Sequence, residues 1–173
     1  MRRFFLLFAA CMFLFVASPT QQTLADSVDF SGHWVLDQTA SEPMEALMKL
    51  QDVPWAVRKV AEGFDNEFKA AQGPKGLTIS FDNWIGDFNQ ELVFDAKPHT
   101  TQNPAGRKTT FSTSWSEDGA TLVSSGPVDL DGAMGTLTER RSLSADKKTL
   151  TLLVSMVVSG GQSATARRVY IRQ

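Results

Sequence analysis

The sequence predicts an all-β domain in which a pair of helices interrupts a long antiparallel meander. From Leu77 onward, apolar and polar residues alternate with the period of two that marks half-buried strands, and turn signals separate the short segments. Between residues 41 and 68, apolar residues instead recur at helical spacing in two segments. Such a meander forms a sandwich or a closed barrel. We favour closure, because the strands are many and no strand carries the features that blunt an exposed edge.

The first strand is predicted over residues 28–36, where every second residue is apolar except at Gly32, the site of an expected bend. A first helix is expected over residues 41–51, with Ser41 as its N-cap. Pro54 can then open a second helix, whose apolar stripe contains Val57, Val60, Ala61, Phe64 and Phe68. This helix pair must bury one face. We expect it to cover the meander; the stripe could also lie on a membrane, but its opposite face is not strongly basic.

The remaining strands are expected between clear turn signals. Residues 97–107, which contain two prolines and a glycine, are predicted to form the longest loop. The predicted strands are residues 77–81, 88–94, 109–115, 121–130, 136–143, 149–157 and 163–172.

The N-terminus has the features of an export signal. Arg2 and Arg3 precede an apolar run from Phe4 to Ala17, and a polar stretch then ends in Thr23-Leu24-Ala25. A basic start, a short apolar run and a small-residue site are typical of a cleavable signal peptide, and the run is too short for a comfortable transmembrane anchor. We therefore expect residues 1–25 to be a signal peptide and residues 26–173 to be one exported domain, periplasmic or extracellular.

Composition excludes several classes of function. The single cysteine, Cys11, lies in the predicted signal peptide, so the exported domain has neither a disulfide nor a thiolate metal site. The formal net charge of −2 offers no basic face for a nucleic acid. His33 and His99 are predicted at the surface, and neither forms part of a nucleophilic triad or a metal set. We expect no enzyme, no cofactor and a monomer.

The last strand contains the most informative polar pair. Arg168 and Tyr170 stand two residues apart, so both side chains point to one face of a strand. A guanidinium beside a phenol can hold a carboxylate or a similar polar head group. The plain alternative is that Tyr170 packs at the barrel end while Arg168 reaches water.

Three motifs resemble the fatty-acid-binding proteins, lipid-binding members of the calycin (lipocalin-like) superfamily. Residues 30–36 are similar to the family's opening Phe-x-Gly-x-Trp-x-Leu, residues 48–60 to its helical lid, and residues 168–170 to its closing Arg-Val-Tyr. The resemblance implies an up-and-down barrel of about ten strands, capped by the two helices and enclosing a lipid. The chain departs from the family in its signal peptide and in Asp52, which stands where the lid has a glycine.

The resemblance also implies the ligand site. Arg168 and Tyr170 would anchor a carboxylate. The family's further cationic anchor falls at Glu139 in the simplest register, with Arg141 on the same face, and an inward Glu139 would neutralise a neighbouring arginine. Aromatic side chains of Trp34, Phe111 and Trp115 would line the interior, and the lid would comprise Met48, Val57, Val60 and Phe64.

The sequence thus predicts an exported carrier of a small hydrophobic ligand, such as a fatty acid, with transient membrane contact through the lid. The alternative is an interaction or scaffold module of the cell envelope or extracellular space, with a filled interior. A third, weaker option is an isomerase-like enzyme that uses the cavity. Cavity volume distinguishes the first two, since small-molecule sites occupy several hundred cubic ångströms.

Overall fold

A computed structural model describes residues 28–61, 67–81, 88–102, 108–130 and 133–173. The predicted signal peptide lies outside these residues. Two helices and ten strands occur in the described ranges: β1 Gly32–Leu36, α1 Glu45–Leu50, α2 Trp55–Ala61, β2 Glu67–Gly73, β3 Gly76–Phe81, β4 Phe88–Val93, β5 Pro98–Gln102, β6 Lys108–Trp115, β7 Thr121–Leu130, β8 Ala133–Leu143, β9 Thr149–Val158 and β10 Ser163–Arg172.

The ten strands form one antiparallel sheet in the order β4-β3-β2-β1-β10-β9-β8-β7-β6-β5. Strand β1 pairs with both β2 and β10, so the first and last strands lie side by side as in an up-and-down barrel. The two ends of the order, β4 and β5, approach each other, and the Glu91 backbone N–H donates to the Thr101 hydroxyl at 3.1 Å. The sheet is therefore a nearly closed barrel with two short helices after its first strand, as predicted.

The strand register fixes which side chains face the interior. Arg141 lies opposite Leu152, which lies opposite Arg168, and Glu139 lies opposite Val154. Because cross-strand partners share a face of the sheet, this set points inward together with the buried Leu77, Ile79, Phe111, Leu150 and Val154.

Two strands were missed by the sequence prediction. Phe68, expected on the second helix, lies in β2, where the buried Phe68 and Ala70 alternate with the exposed Glu67 and Lys69. The same residues fit a helical stripe, and pairing of β2 with β1 and β3 decides in favour of the strand. Strand β5 occupies part of the predicted loop and begins at Pro98, at the end of the sheet order, where proline is tolerated.

The predicted N-cap of the first helix is wrong. Helix α1 begins at Glu45, and the cap residue is Met44, which makes no side-chain cap hydrogen bond. The Ser41 hydroxyl instead accepts from the Val169 backbone N–H at 2.9 Å, and Asp37 N–H donates to the Val169 carbonyl at 2.8 Å. Residues 37–42, which we call the strap, therefore run along β10 before the helix begins, and a helical start at Ser41 would break these bonds.

The two helices differ in how they meet the barrel. Helix α1 packs on β9 and β10 through Leu47, which is 1% exposed. On α2, however, Trp55 is 65% exposed and Val57 is 53% exposed. The prediction that Val57 covers the barrel is wrong, and Phe64 lies outside the described residues. Asp52, between the helices, has a φ of 50°, the left-handed region in which glycine is at ease and aspartate is tolerated.

Two clusters of buried residues fill the barrel. The larger, which we call the aromatic cluster, contains Phe30, Trp34, Phe68, Ala70, Leu77, Ile79, Leu92, Phe111, Leu122, Leu150 and Tyr170. The smaller, the lid cluster, contains Leu47, Val154, Met156, Val158 and Ala166. Strand β9 runs from one to the other, since Leu150 belongs to the first and Val154 to the second. Within the described ranges, no helix combines the length and apolar character needed to cross a membrane.

Candidate functional site

A cavity of about 220 Å³ lies inside the barrel, between helix α1 and the strands. Members of both buried clusters line it, so it occupies the space where the clusters meet. Helix α1 and the residues on either side of it contribute Met44, Leu47 and Gln51, which recur at i, i+3 and i+7 and therefore share one helix face. The other lining residues are Phe68, Ile79, Phe81, Gln90, Thr109, Phe111, Val128, Leu137, Glu139, Arg141, Leu152, Val154, Arg168 and Tyr170.

One wall of the cavity carries a buried ion pair. The Arg141 Nη2 group donates to Glu139 Oε2 at 2.7 Å, and the Arg141 and Glu139 side chains are 5% and 16% exposed. Both residues point inward from β8, two positions apart. The sequence interpretation that Glu139 neutralises a neighbouring arginine therefore matches the contact between Glu139 and Arg141.

Arg168 and Tyr170 line the same cavity from β10. The half-buried Arg168 donates from Nη1 to the Glu42 carbonyl in the strap at 3.4 Å. Tyr170 is 2% exposed, and the centroid of its ring lies 4.9 Å from that of Phe68 at an interplanar angle of 72°. Edge-to-face packing of this kind fixes the ring of Tyr170 beside the cavity.

The three predicted aromatic wall residues separate in the structure. Phe111 lines the cavity, whereas Trp34 and Trp115 are not among its lining residues. Trp34 is fully buried, donates its indole N–H to the Phe30 carbonyl at 2.9 Å and lies under the Arg172 guanidinium at 4.6 Å. The ring of Trp115 stacks on that of Phe30 with centroids 5.8 Å apart. These two tryptophans fill the barrel end away from α1.

The predicted lid residues also fall in different places. Met48 is half-buried on α1 but is not among the lining residues, which come from the adjacent helix face. Val57 is exposed, Val60 is a residue of α2, and Phe64 lies outside the described residues. The spacing of Met44, Leu47 and Gln51 could have identified the lining face, but a glutamine on an apolar face does not signal burial.

The sequence interpretation also missed polar side chains in the interior. The hydroxyls of Thr113 and Ser124 are hydrogen-bonded at 2.9 Å, and both residues are buried. Ser124 lies directly opposite Glu139 on the neighbouring strand. Gln90, 5% exposed, lines the cavity from β4. Each of these residues has at least one polar outward neighbour, so its inward orientation follows only from the strand register.

Both histidines lie near the surface, as predicted. His33 Nε2 is 3.2 Å from Glu67 Oε2, and His99 Nε2 is 2.9 Å from Asp95 Oδ1, with both histidine side chains more than one-third exposed. In the described part of the chain, no group of three or more His, Cys, Asp or Glu side chains is placed to hold a metal ion.

Several solved structures resemble the barrel. A Schistosoma mansoni fatty-acid-binding protein in complex with arachidonic acid is 20% identical, with a TM-score of 0.64 over 85% of this chain and 98% of that one. The apo form of Caenorhabditis elegans lipid binding protein 8 is 14% identical, with a TM-score of 0.63 over 83% and 95% of the two chains. A point mutant of the fatty acid transporter REP1-NXSQ is 13% identical, with a TM-score of 0.62 over 83% and 97%.

No protein-family model and no curated protein matches the sequence. The likeness is therefore one of structure, and it extends over nearly the whole length of each of these solved chains. The chain has the fold of the fatty-acid-binding proteins.

Proposed function

We propose that this protein binds a small hydrophobic ligand, such as a fatty acid or a related single-chain lipid, inside its barrel. The observation that carries the proposal is the internal cavity, whose lining combines apolar side chains with a polar group, the side chains of Glu139, Arg141, Arg168 and Tyr170. A ligand with an apolar tail and a polar head matches this combination. The solved structures with the same fold, described as fatty-acid-binding, lipid-binding and fatty-acid-transporting proteins, support the choice of ligand class.

Burial of the tail would supply most of the affinity. Each methylene removed from water contributes about 0.8 kcal/mol, whereas a hydrogen bond to the head group replaces one to water and contributes less in net terms. The polar group would therefore determine the orientation of the ligand more than its affinity. A binding role also needs no assembled catalytic set, so we propose a carrier and not an enzyme.

We further propose that the carrier is an exported monomer, in the periplasm or outside the cell. The support is the basic start, apolar run and small-residue site of residues 1–25. Intact mass and N-terminal sequencing of the protein from fractionated cells would test this. A chain beginning at Asp26 in the exported fraction supports export, and an uncleaved chain in the cytosol contradicts it.

Transient membrane contact through α2 is part of the proposal. Trp55 and Val57 present apolar surface to solvent on this helix, next to Arg58 and Lys59. Indole rings favour the boundary between water and lipid. Trp55→Ala should slow transfer of a bound ligand to lipid vesicles while leaving its affinity in solution unchanged, as measured by stopped-flow fluorescence.

Native mass spectrometry of the protein purified without detergent, followed by organic extraction, tests the binding function itself. A co-purified acyl species at about one per protein would support the carrier and identify its ligand class. A protein that is empty, and that also ignores added single-chain lipids and apolar dyes, would contradict it.

The second candidate is a ligand-free interaction module. It is favoured by one observation, the filled interior around Trp34 and Trp115, which leaves a cavity of only about 220 Å³. This volume falls slightly below the usual range for small-molecule sites. An empty protein in the experiment above would support this candidate.

A further inference from the structure

The ion pair between Glu139 and Arg141 bears on the charge of the ligand's head group. Arg141 is only 5% exposed, and its guanidinium already faces a carboxylate at 2.7 Å. A second ionised carboxylate brought to the same guanidinium would also come close to Glu139, away from the screening of bulk water. Like charges in such a place repel strongly.

Arg168, the third charged side chain on the cavity wall, does not offset this repulsion between Glu139 and a ligand carboxylate. Arg168 lies two strands from Arg141, since both residues are opposite Leu152 on β9. Neighbouring strands are about 4.8 Å apart, which places the two Cα atoms roughly 10 Å from each other. Arg168 is only half-buried, so solvent screens its charge more than that of Arg141, although its Nε atom is buried and has no hydrogen-bond partner among the described residues.

The ion pair leaves one N–H donor of Arg141 without an acceptor, and a neutral head group can supply that acceptor. In the described part of the chain, Arg141 Nη1 is buried and has no hydrogen-bond partner, although Nη2 binds Glu139. A hydroxyl oxygen or an amide carbonyl can accept from Nη1, and the O–H or N–H of the same group can donate to Glu139. An ionised carboxylate accepts only, so it cannot satisfy Glu139.

We propose that the cavity prefers a single-chain lipid with an uncharged head group that both donates and accepts, such as an alcohol or a primary amide, over an ionised fatty acid. Glu139 is the specificity-determining residue, because its carboxylate occupies the place next to Arg141 that an acid head group would need. This inference rests on the proposed function and defines its ligand class more narrowly.

Three twelve-carbon ligands with the same tail test the inference: dodecan-1-ol, dodecanamide and dodecanoate. Binding to the purified, delipidated protein at neutral pH is measured by displacement of an apolar fluorescent dye. The alcohol and the amide should bind about tenfold more tightly than dodecanoate, as expected for a head group placed beside a like charge. Equal affinities, or tighter binding of dodecanoate, would overturn the inference.

Glu139→Gln should abolish the preference for the neutral head group. It removes the negative charge but keeps an oxygen that can accept from Arg141, and dodecanoate should then bind about tenfold more tightly than it does to the wild type. Glu91→Gln is the matched control, since Glu91 is exposed on β4 and its loss removes the same charge from the molecule. If Glu139→Gln leaves the ratio of acid to alcohol affinity unchanged, Glu139 does not set specificity.

If Glu139→Gln fails to fold, the affinities of the wild-type protein for the three ligands still test the inference. Failure of the inference is also distinguishable from failure of the proposed function. If the protein binds dodecanoate best, the head-group inference fails and the carrier stands; if it binds neither the dye nor any of the three ligands, the carrier itself fails.

Discussion

The aromatic cluster and the cavity are built by the same strands but have opposite packing. Around Trp34, rings and aliphatic side chains fill the barrel, and an arginine closes the end by stacking on the indole. Next to α1, the inward positions of the same sheet hold Glu139, Arg141 and Arg168, and space remains. We infer a division between the two ends of the barrel. The aromatic cluster stabilises the fold, and the end next to α1 tolerates the polar side chains and the open volume that the proposed ligand requires. Substitutions at the two ends of the barrel test that division.

The largest effect is expected in the aromatic cluster. Trp34→Ala should lower the free energy of unfolding by about 3–5 kcal/mol, because it removes a fully buried indole and its hydrogen bond to the Phe30 carbonyl. Urea denaturation measures the loss. Trp55→Ala is the matched control: with Trp55 65% exposed, its loss should change stability by no more than about 0.5 kcal/mol. Similar losses in the two variants would contradict the division.

The second-largest loss of stability is expected at Gly126, where β7 passes close to β6. A Cβ atom added to Gly126 on β7 would clash with the Thr110 carbonyl oxygen on β6, so the backbone must shift. Gly126→Ala should destabilise the protein by about 1–3 kcal/mol, the range for overpacked sites. Gly73→Ala is the control, since nothing lies within 4 Å of its added Cβ. Urea denaturation of the two variants should separate them clearly.

A larger side chain placed in the cavity should reduce ligand binding without a large change in stability. Leu152 lines the cavity between Arg141 and Arg168, and Leu152→Phe places a larger ring there. Ligand affinity should fall at least about tenfold, while the free energy of unfolding changes by less than about 1.5 kcal/mol. Leu153→Phe adds the same ring to the outward face of β9 and should leave affinity unchanged. Dye titration measures both, and unaltered binding by Leu152→Phe would place the ligand elsewhere.

The smallest effect concerns pH and the turn between β6 and β7. The Ser116 hydroxyl and the Ala120 backbone N–H donate to the Asp118 carboxylate and hold the pKa of Asp118 below its usual value. A lowered pKa in the folded state stabilises the protein above the unfolded pKa of about 4, and this contribution is lost as pH falls through the folded value. Asp118→Asn should therefore reduce the loss of stability on acidification, measured as the shift in urea midpoint between neutral and acidic solution.

The control for the pH prediction is Glu117→Gln, which removes one negative charge from the same exposed turn. Acid sensitivity reduced to the same extent in both variants would point to general charge and not to the Asp118 hydrogen bonds.

The sequence was most informative where one period held over a whole segment. The alternation in β6 to β10 placed those strands correctly, because each has one face in the interior and turn residues at both ends. It failed at β2, where Phe68 fits both the helical and the strand period and only pairing with β1 and β3 decides. It failed at Ser41 because a serine near a helix can also bind a neighbouring strand.

For the site, the sequence located the inward polar residues but not the boundary of the cavity. Arg168 and Tyr170 share a face of β10 by simple parity, as Glu139 and Arg141 do on β8, and the strand register brings both pairs to the cavity. Whether an inward tryptophan lines a cavity or fills the barrel depends on its neighbours across the sheet. Trp34 and Trp115 are held by Phe30, which is distant from Trp115 in sequence, so no local pattern separates their position from that of Phe111.

The strap fixes helix α1, but not helix α2, to the final strand. Its hydrogen bonds to Val169, together with the bond from Glu42 N–H to the Arg167 carbonyl at 2.8 Å, tether the start of α1 to the final strand. Lifting α1 would disrupt these hydrogen bonds and the contact between Arg168 and the Glu42 carbonyl beside the cavity. Helix α1 is thus fixed to the final strand by these hydrogen bonds. A ligand of the proposed kind that entered past α2 would leave all of them in place.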